Sequence, residues 1–197
     1  MKTIALMALA VFLTGCAVSR VDPLSVPLTY SDNARNSNLA GALSCNEVSQ
    51  LEVSDARKDK TLGVRTHESK PLKAEVTTTS DAGAWVRHGM QAFLTHNGVA
   101  VQPGKGPKLV VSIDQLSTKE SIWHRSTYDA TVALTGRLES PGGKVCWTQT
   151  TEGMSSNYGY SGSIEDYQET LNSALDAASG NLVRLQGFKD GLCKCPD

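Results

Sequence analysis

Thr127-Tyr128-Asp129-Ala130-Thr131-Val132-Ala133-Leu134-Thr135-Gly136-Arg137-Leu138 decides the fold class. Tyr128, Ala130, Val132, Leu134, Gly136 and Leu138 alternate with Thr127, Asp129, Thr131, Thr135 and Arg137, and only Ala133 is off-pattern. A period of two marks a strand with one buried and one solvated face. Ser140-Pro141-Gly142-Gly143 then supplies a hairpin turn. A return strand is expected from Lys144 to about Gly153, with Val145 and Trp147 inward and Cys146 outward beside Thr148 and Thr150. On the other side, Leu109 to Leu116 reads as a third strand.

Two helical periods flank this meander. Ala82, Trp85, Val86, Gly89, Met90, Phe93 and Leu94 recur at helical spacing after the N-cap Ser80-Asp81 and before Asn97-Gly98, giving a helix over 81–97. Ser163 caps a second helix, with Asp166 at its third position and Ile164, Tyr167, Leu171, Ala174, Leu175, Ala178, Leu182 and Leu185 on one stripe. Short strands are expected over Gln50 to Arg57, at Leu62 to Arg65, over Leu72 to Thr79 and at Val99 to Val101, and Ser155 to Gly162 reads as a polar loop. Strands, helix, meander and helix imply an α+β fold, a mostly antiparallel sheet with two helices packed on one face.

The N-terminus has a different chemistry. Lys2 precedes an apolar run, Ile4 to Leu13, of about half the roughly 20 residues that a membrane span requires. Leu13-Thr14-Gly15-Cys16 closes it in the manner of a lipobox. Residues 1–15 are therefore read as a lipoprotein signal peptide, with Cys16 as the lipid attachment residue. Residues 16–44 are read as a lipid-anchored flexible tether, rich in polar residues and carrying Pro23 and Pro27, although Val26 to Tyr30 suits an edge strand. Residues 45–197 form the single α+β domain, facing the periplasm.

Loss of Lys2 with the signal takes the formal charge from −1 to −2, so the remaining chain is close to neutral. A nucleic-acid binder would show a basic face, and none is expected here. Assigning Cys16 to lipid leaves Cys45, Cys146, Cys193 and Cys195. An even number in an exported chain reads as disulfides, with three possible connectivities. Cys193 with Cys195 would close a very tight ring, so the favoured arrangement ties the tail to Cys45 and to Cys146. The rival, a metal site on Cys193-Lys194-Cys195, lacks the second ligand pair of a zinc site; no metal and no cofactor are expected.

The candidate chemical motifs are few. Gly159-Tyr160-Ser161-Gly162-Ser163 approaches a nucleophile elbow, but Ser163 replaces the final glycine, and all four histidines (His67, His88, His96, His124) precede Ser161. A serine hydrolase using Ser161 is thus a minor alternative, and no catalytic residue is assigned. Asp55 and Arg57 share a strand face and read as an ion-paired clasp at the rim of the core. Trp123, Arg125, Tyr158 and Tyr160 are the candidates for contact with a partner, since aromatics and Arg are enriched at interfaces.

The lipobox, Leu51-Glu52-Val53-Ser54-Asp55-Ala56-Arg57, the following Leu62-Gly63, and the helix end Phe93-Leu94-Thr95-His96-Asn97-Gly98-Val99 together resemble the YajG-like family of small lipoproteins from Gram-negative bacteria. The Leu109-to-Leu116 strand and the final helix also fit. The resemblance implies a periplasm-facing α+β domain with no assigned activity. Ala17 stands where aspartate commonly retains such proteins in the inner membrane, which by analogy implies the outer membrane. The four further cysteines depart from the family pattern. The expected function is that of a lipid-anchored cell-envelope lipoprotein with a non-catalytic binding or scaffolding domain, contacting an envelope or periplasmic protein. The alternative is an accessory lipoprotein of an envelope lipid-transport or ABC transport system.

Overall fold

A computed structural model of the chain describes residues 20–31 and 45–195. The expected signal peptide, Cys16 and most of the expected tether lie outside the described residues. In chain order the elements are β1 (Leu24–Ser25), β2 (Glu47–Val48), β3 (Gln50–Asp55), β4 (Gly63–His67), β5 (Lys73–Thr77), α1 (Ala82–His96), β6 (Ala100–Val101), β7 (Lys108–Ile122), β8 (Ser126–Glu139), β9 (Val145–Gly159), α2 (Ile164–Arg184) and α3 (Gln186–Lys194). This is the expected α+β class, with a mostly antiparallel sheet.

The meander β7–β8–β9 forms the body of the sheet, antiparallel throughout. The free edge of β7 carries two strands in succession. β3 runs parallel to Lys108–Ile113, and β4 runs parallel to Thr118–Ile122. β5 is antiparallel to β4, and β1 lies parallel to β5 at the sheet's margin. β2 and β6 make a separate parallel pair.

One sheet face carries the helices. Leu109, Val111, Ile113 and Leu116 of β7 and Tyr128, Val132, Leu134 and Leu138 of β8 pack there against Trp85, Met90 and Phe93 of α1 and Leu171, Leu175 and Leu182 of α2. The caps form as expected: Asp81 accepts from the Ala84 N–H and Ser163 from the Asp166 N–H. The other face is solvated and rich in hydroxyls, with Thr135 beside Asp114 and Thr150, and Ser156 donating to Asp129 at 2.5 Å.

Several expectations change. β7 extends to Ile122 rather than ending at Leu116. A bulge at Asp114 flips the parity, and the next inward positions after Leu116 are Thr118 and Glu120, so the apolar alternation vanishes while the strand continues. The loop expected over Ser155 to Gly162 is mostly strand, because β9 runs to Gly159. Val145 is exposed rather than inward. Leu138 pairs with Trp147 and Glu139 with Val145, which leaves Cys146 as the bulged residue between them. A third helix, α3, was not expected. Gly187 and Gly191 obscure its pattern, yet both are needed, since a Cβ at either would fall under 3 Å from Trp147 or Leu138.

The tether reading fails for residues 24–31. Val26 and Tyr30 are buried in the core, the Leu28 N–H donates to Ser80 Oγ (3.0 Å), and Tyr30 Oη donates to Asp176 (2.8 Å). The strand in this segment is Leu24–Ser25, just ahead of the Val26 to Tyr30 stretch suited to an edge. Two buried side chains and a run of hydrogen bonds offset the ordering cost that its composition suggested would prevail.

Candidate functional site

β3 leaves β7 at Ile113 and β4 joins it at Thr118, so a gap opens between them. Arg57 fills it. Its Nε and Nη2 donate to Asp55 Oδ1 and Oδ2, each at 2.9 Å, and its Nη1 donates to Leu116 O (3.2 Å) and Thr61 O (3.4 Å). Lys60 Nζ adds a contact to Asp55 at 3.1 Å. The Arg57 hydrogen bonds, opposed by burial and assisted by Lys60, hold the Asp55 carboxyl down at about 2. The clasp expected from sequence is present, and its guanidinium substitutes for a missing stretch of strand.

Beside this clasp lies an open groove of 470 Å³, with Lys58, Asp59, Lys73, Glu75, Asp114 and Gln115 among its lining residues. The side chains of Lys73, Glu75, Asp114 and Gln115 belong to the helix-free face by register. Cations and acids are mixed there with the apolar Leu62, Val64 and Leu116. Among the described residues no group of three or more His, Cys, Asp and Glu is disposed to hold a metal ion.

A second polar centre, absent from the sequence reading, lies beneath the far end of the sheet. Glu120 is fully buried. It accepts from Arg65 Nε (2.5 Å), Ser126 Oγ (2.7 Å), Tyr128 Oη (3.3 Å), Tyr167 Oη (2.9 Å) and the Gly162 N–H (2.9 Å). Burial alone would raise its carboxyl, but the hydrogen bonds from Arg65, Ser126 and Gly162 outweigh this, and the net shift is downward. Burial, with the Glu120 charge nearby, pushes the Tyr128 phenol up to about 12 and the Tyr167 phenol higher still. Arg65 also reaches outward, donating to Asp22 O (2.9 Å) and Ser161 Oγ (3.2 Å). Ser161 thus accepts from a cation, whereas an activated nucleophile donates to a base. Glu120 lies beyond Leu116, where the expected strand stopped, so no local pattern paired it with Arg65.

The four tail-related cysteines pair as Cys45–Cys193 and Cys146–Cys195, with Cα separations of 5.2 and 5.4 Å. Each tail cysteine reaches elsewhere, in line with the favoured arrangement. The bulge at Cys146 turns it toward α3.

The aromatic candidates converge at one end. Ile122 pairs with Ser126, and Ser126 with Gly159, so the hairpin tip Trp123–Arg125 lies beside the end of β9. Trp123 is 55% exposed, Tyr158 72% and Tyr160 83%. Tyr128 Oη holds the Tyr160 carbonyl, and the Arg65–Ser161 bond fixes the next residue, so the loop carrying Tyr160 is tied to the Glu120 centre.

No family model matches the chain, and no curated protein does. Solved structures similar to it include a Xanthomonas campestris protein described under the family-model DUF330, at 14% identity and a TM-score of 0.48, covering 82% of this chain and 92% of that one. Another is a minor lipoprotein from Acinetobacter baumannii, at 14% identity and a TM-score of 0.41, covering 74% of this chain and 92% of that one. Likenesses this distant carry no argument about activity.

Proposed function

We propose that the chain is a lipid-anchored protein of the cell envelope, attached through Cys16, whose folded domain acts by binding an envelope or periplasmic protein and not by catalysis. The observation that carries this reading is how soon after the lipobox the described chain contacts the domain. Asp22, six residues beyond Cys16, is already hydrogen-bonded to the domain through Arg65. Six residues span at most about 20 Å, so acylation of Cys16 would hold the whole domain at the membrane surface. Glu120 and Asp55 have their carboxylates committed to the scaffold, and Ser161 Oγ accepts from the Arg65 guanidinium. The mixed-charge groove on the open sheet face is the natural contact surface. The YajG-like resemblance and Ala17 support the outer membrane, with the domain facing the periplasm.

A photo-crosslinking residue replacing Gln115, in cells fed labelled palmitate, tests this reading. The chain should incorporate palmitate and give a discrete protein adduct, and Cys16→Ser should lose the label and most of the adduct. An unlabelled chain would overturn the anchor, and a labelled chain without an adduct would overturn the binding role.

A further inference from the structure

The exposed aromatic rings and the anchored end of the chain occupy the same end of the domain. Arg65 is the link: one guanidinium nitrogen donates to Asp22 O and another to Ser161 Oγ, the neighbour of Tyr160. β1 runs parallel to β5, whose first residue, Lys73, lies across from Thr66 near the end of β4, and the last residue of β4, His67, pairs with Ile122. The chain therefore arrives from residue 20 at the end marked by Trp123, Tyr158 and Tyr160, and runs away from it into the core at Val26 and Tyr30.

We propose that this aromatic end seats on the bilayer surface to which Cys16 is anchored, with Trp123, Tyr158 and Tyr160 in the headgroup region. The proposal rests on the reading of Cys16 as the lipid attachment site. Reach and side-chain chemistry both favour the bilayer over a protein as occupant. The six residues from Cys16 to Asp22 can reach at most about 20 Å, less than the length of the sheet, since the 15 residues of β9 span roughly 50 Å. An anchored chain thus brings the end where residue 20 enters close to lipid. Trp and Tyr are also the side chains that partition to membrane interfaces, with an apolar ring and a polar handle. Arg20 and Arg125 share this end with Asp22 and Asp166, so charge does not select an anionic lipid, and seating should occur on neutral phosphatidylcholine.

The test reconstitutes the acylated full chain into phosphatidylcholine vesicles carrying bromine on their acyl chains, which quenches nearby tryptophan emission. The chain has three tryptophans. Trp85 is buried, and Trp147 is half-buried toward the other end of β9, roughly 40 Å along the strand from Gly159. Bromolipid should therefore remove about one third of the emission, one tryptophan in three, and Trp123→Phe should abolish that quenchable fraction while the protein still floats with the vesicles. Flotation without quenching, or quenching unchanged in Trp123→Phe, would overturn the seating and leave the anchor intact. Failure to float would overturn both. Flotation without quenching, together with a protein crosslink from position 123 in cells, would assign this end to a protein partner instead.

Discussion

Arg57 ties Asp55, Thr61 and Leu116 into one unit, and its removal would do more than delete an ion pair. Arg57→Ala leaves a partly buried carboxylate without its main partner and a strand carbonyl without a donor. Breaking such a pair from one side costs about 2–4 kcal/mol, which corresponds to a melting temperature lower by roughly 5–15 °C for a domain of this size. Thermal unfolding at neutral pH checks this. The acid dependence follows from the depressed Asp55 carboxyl, which lies below its ordinary 3.8 at about 2. A depressed carboxyl contributes stability that is fully present above its unfolded value, here about 2 kcal/mol, and lost as pH falls from about 4 toward 2. The gap between the wild-type chain and Arg57→Ala should therefore narrow over that window. This clasp was legible because the two residues are two positions apart, Asp55 closing β3 and Arg57 just beyond it. Glu120 was not, since its partners Arg65, Ser126, Tyr128, Gly162 and Tyr167 come from four separate parts of the chain, and only the folded sheet brings them together.

At the scale of elements, the contact between β9 and α2 is unusually close. A Cβ at Gly153 would lie 2.2 Å from both Ala174 O and Ala178 N, which are backbone atoms of α2 and cannot swing aside. Thr151 Oγ1 donates to Ala178 O and Asn181 Nδ2 to Glu152 O across the same seam, so the helix covers the middle of what would otherwise be a long free edge. Gly153→Ala should destabilise the protein by about 3 kcal/mol through overpacking. Gly143→Ala is the control: it has open space around it, but a φ of +81°, so its cost should stay near about 1 kcal/mol. Chemical denaturation of both variants measures the difference. Elements were legible wherever apolar side chains recur, as in α1, α2 and β8. They were lost wherever the inward face turns polar or small. The second half of β7 points Thr118 and Glu120 inward, the second half of β9 points Ser155 and Asn157 inward, and α3 carries two glycines. In each case tertiary pairing fixes a structure that local periodicity does not announce.

For the molecule as a whole, the disulfides join regions that are distant in sequence, with separations of 148 residues for Cys45–Cys193 and 49 for Cys146–Cys195. Peptide mapping without reduction should recover these two linkages, and the intact mass should rise by about 4 Da on reduction, two hydrogens per bridge. Loop-closure entropy makes the longer bridge the more stabilising, by about 1 kcal/mol. Paired Cys→Ser variants at 45 and 193 should therefore melt below those at 146 and 195, and the reverse order would refute the entropic account. The pairing also sets a timetable. Both bridges need a cysteine from α3 or its C-cap, and these are made after every other element of the fold. With Cys16 carrying lipid, Cys45 and Cys146 have only each other to oxidise with until Cys193 and Cys195 reach the same oxidising compartment. In an oxidising compartment the native pairs must then arise late, either by oxidation after the sheet and α2 are complete or by thiol–disulfide exchange out of a Cys45–Cys146 intermediate.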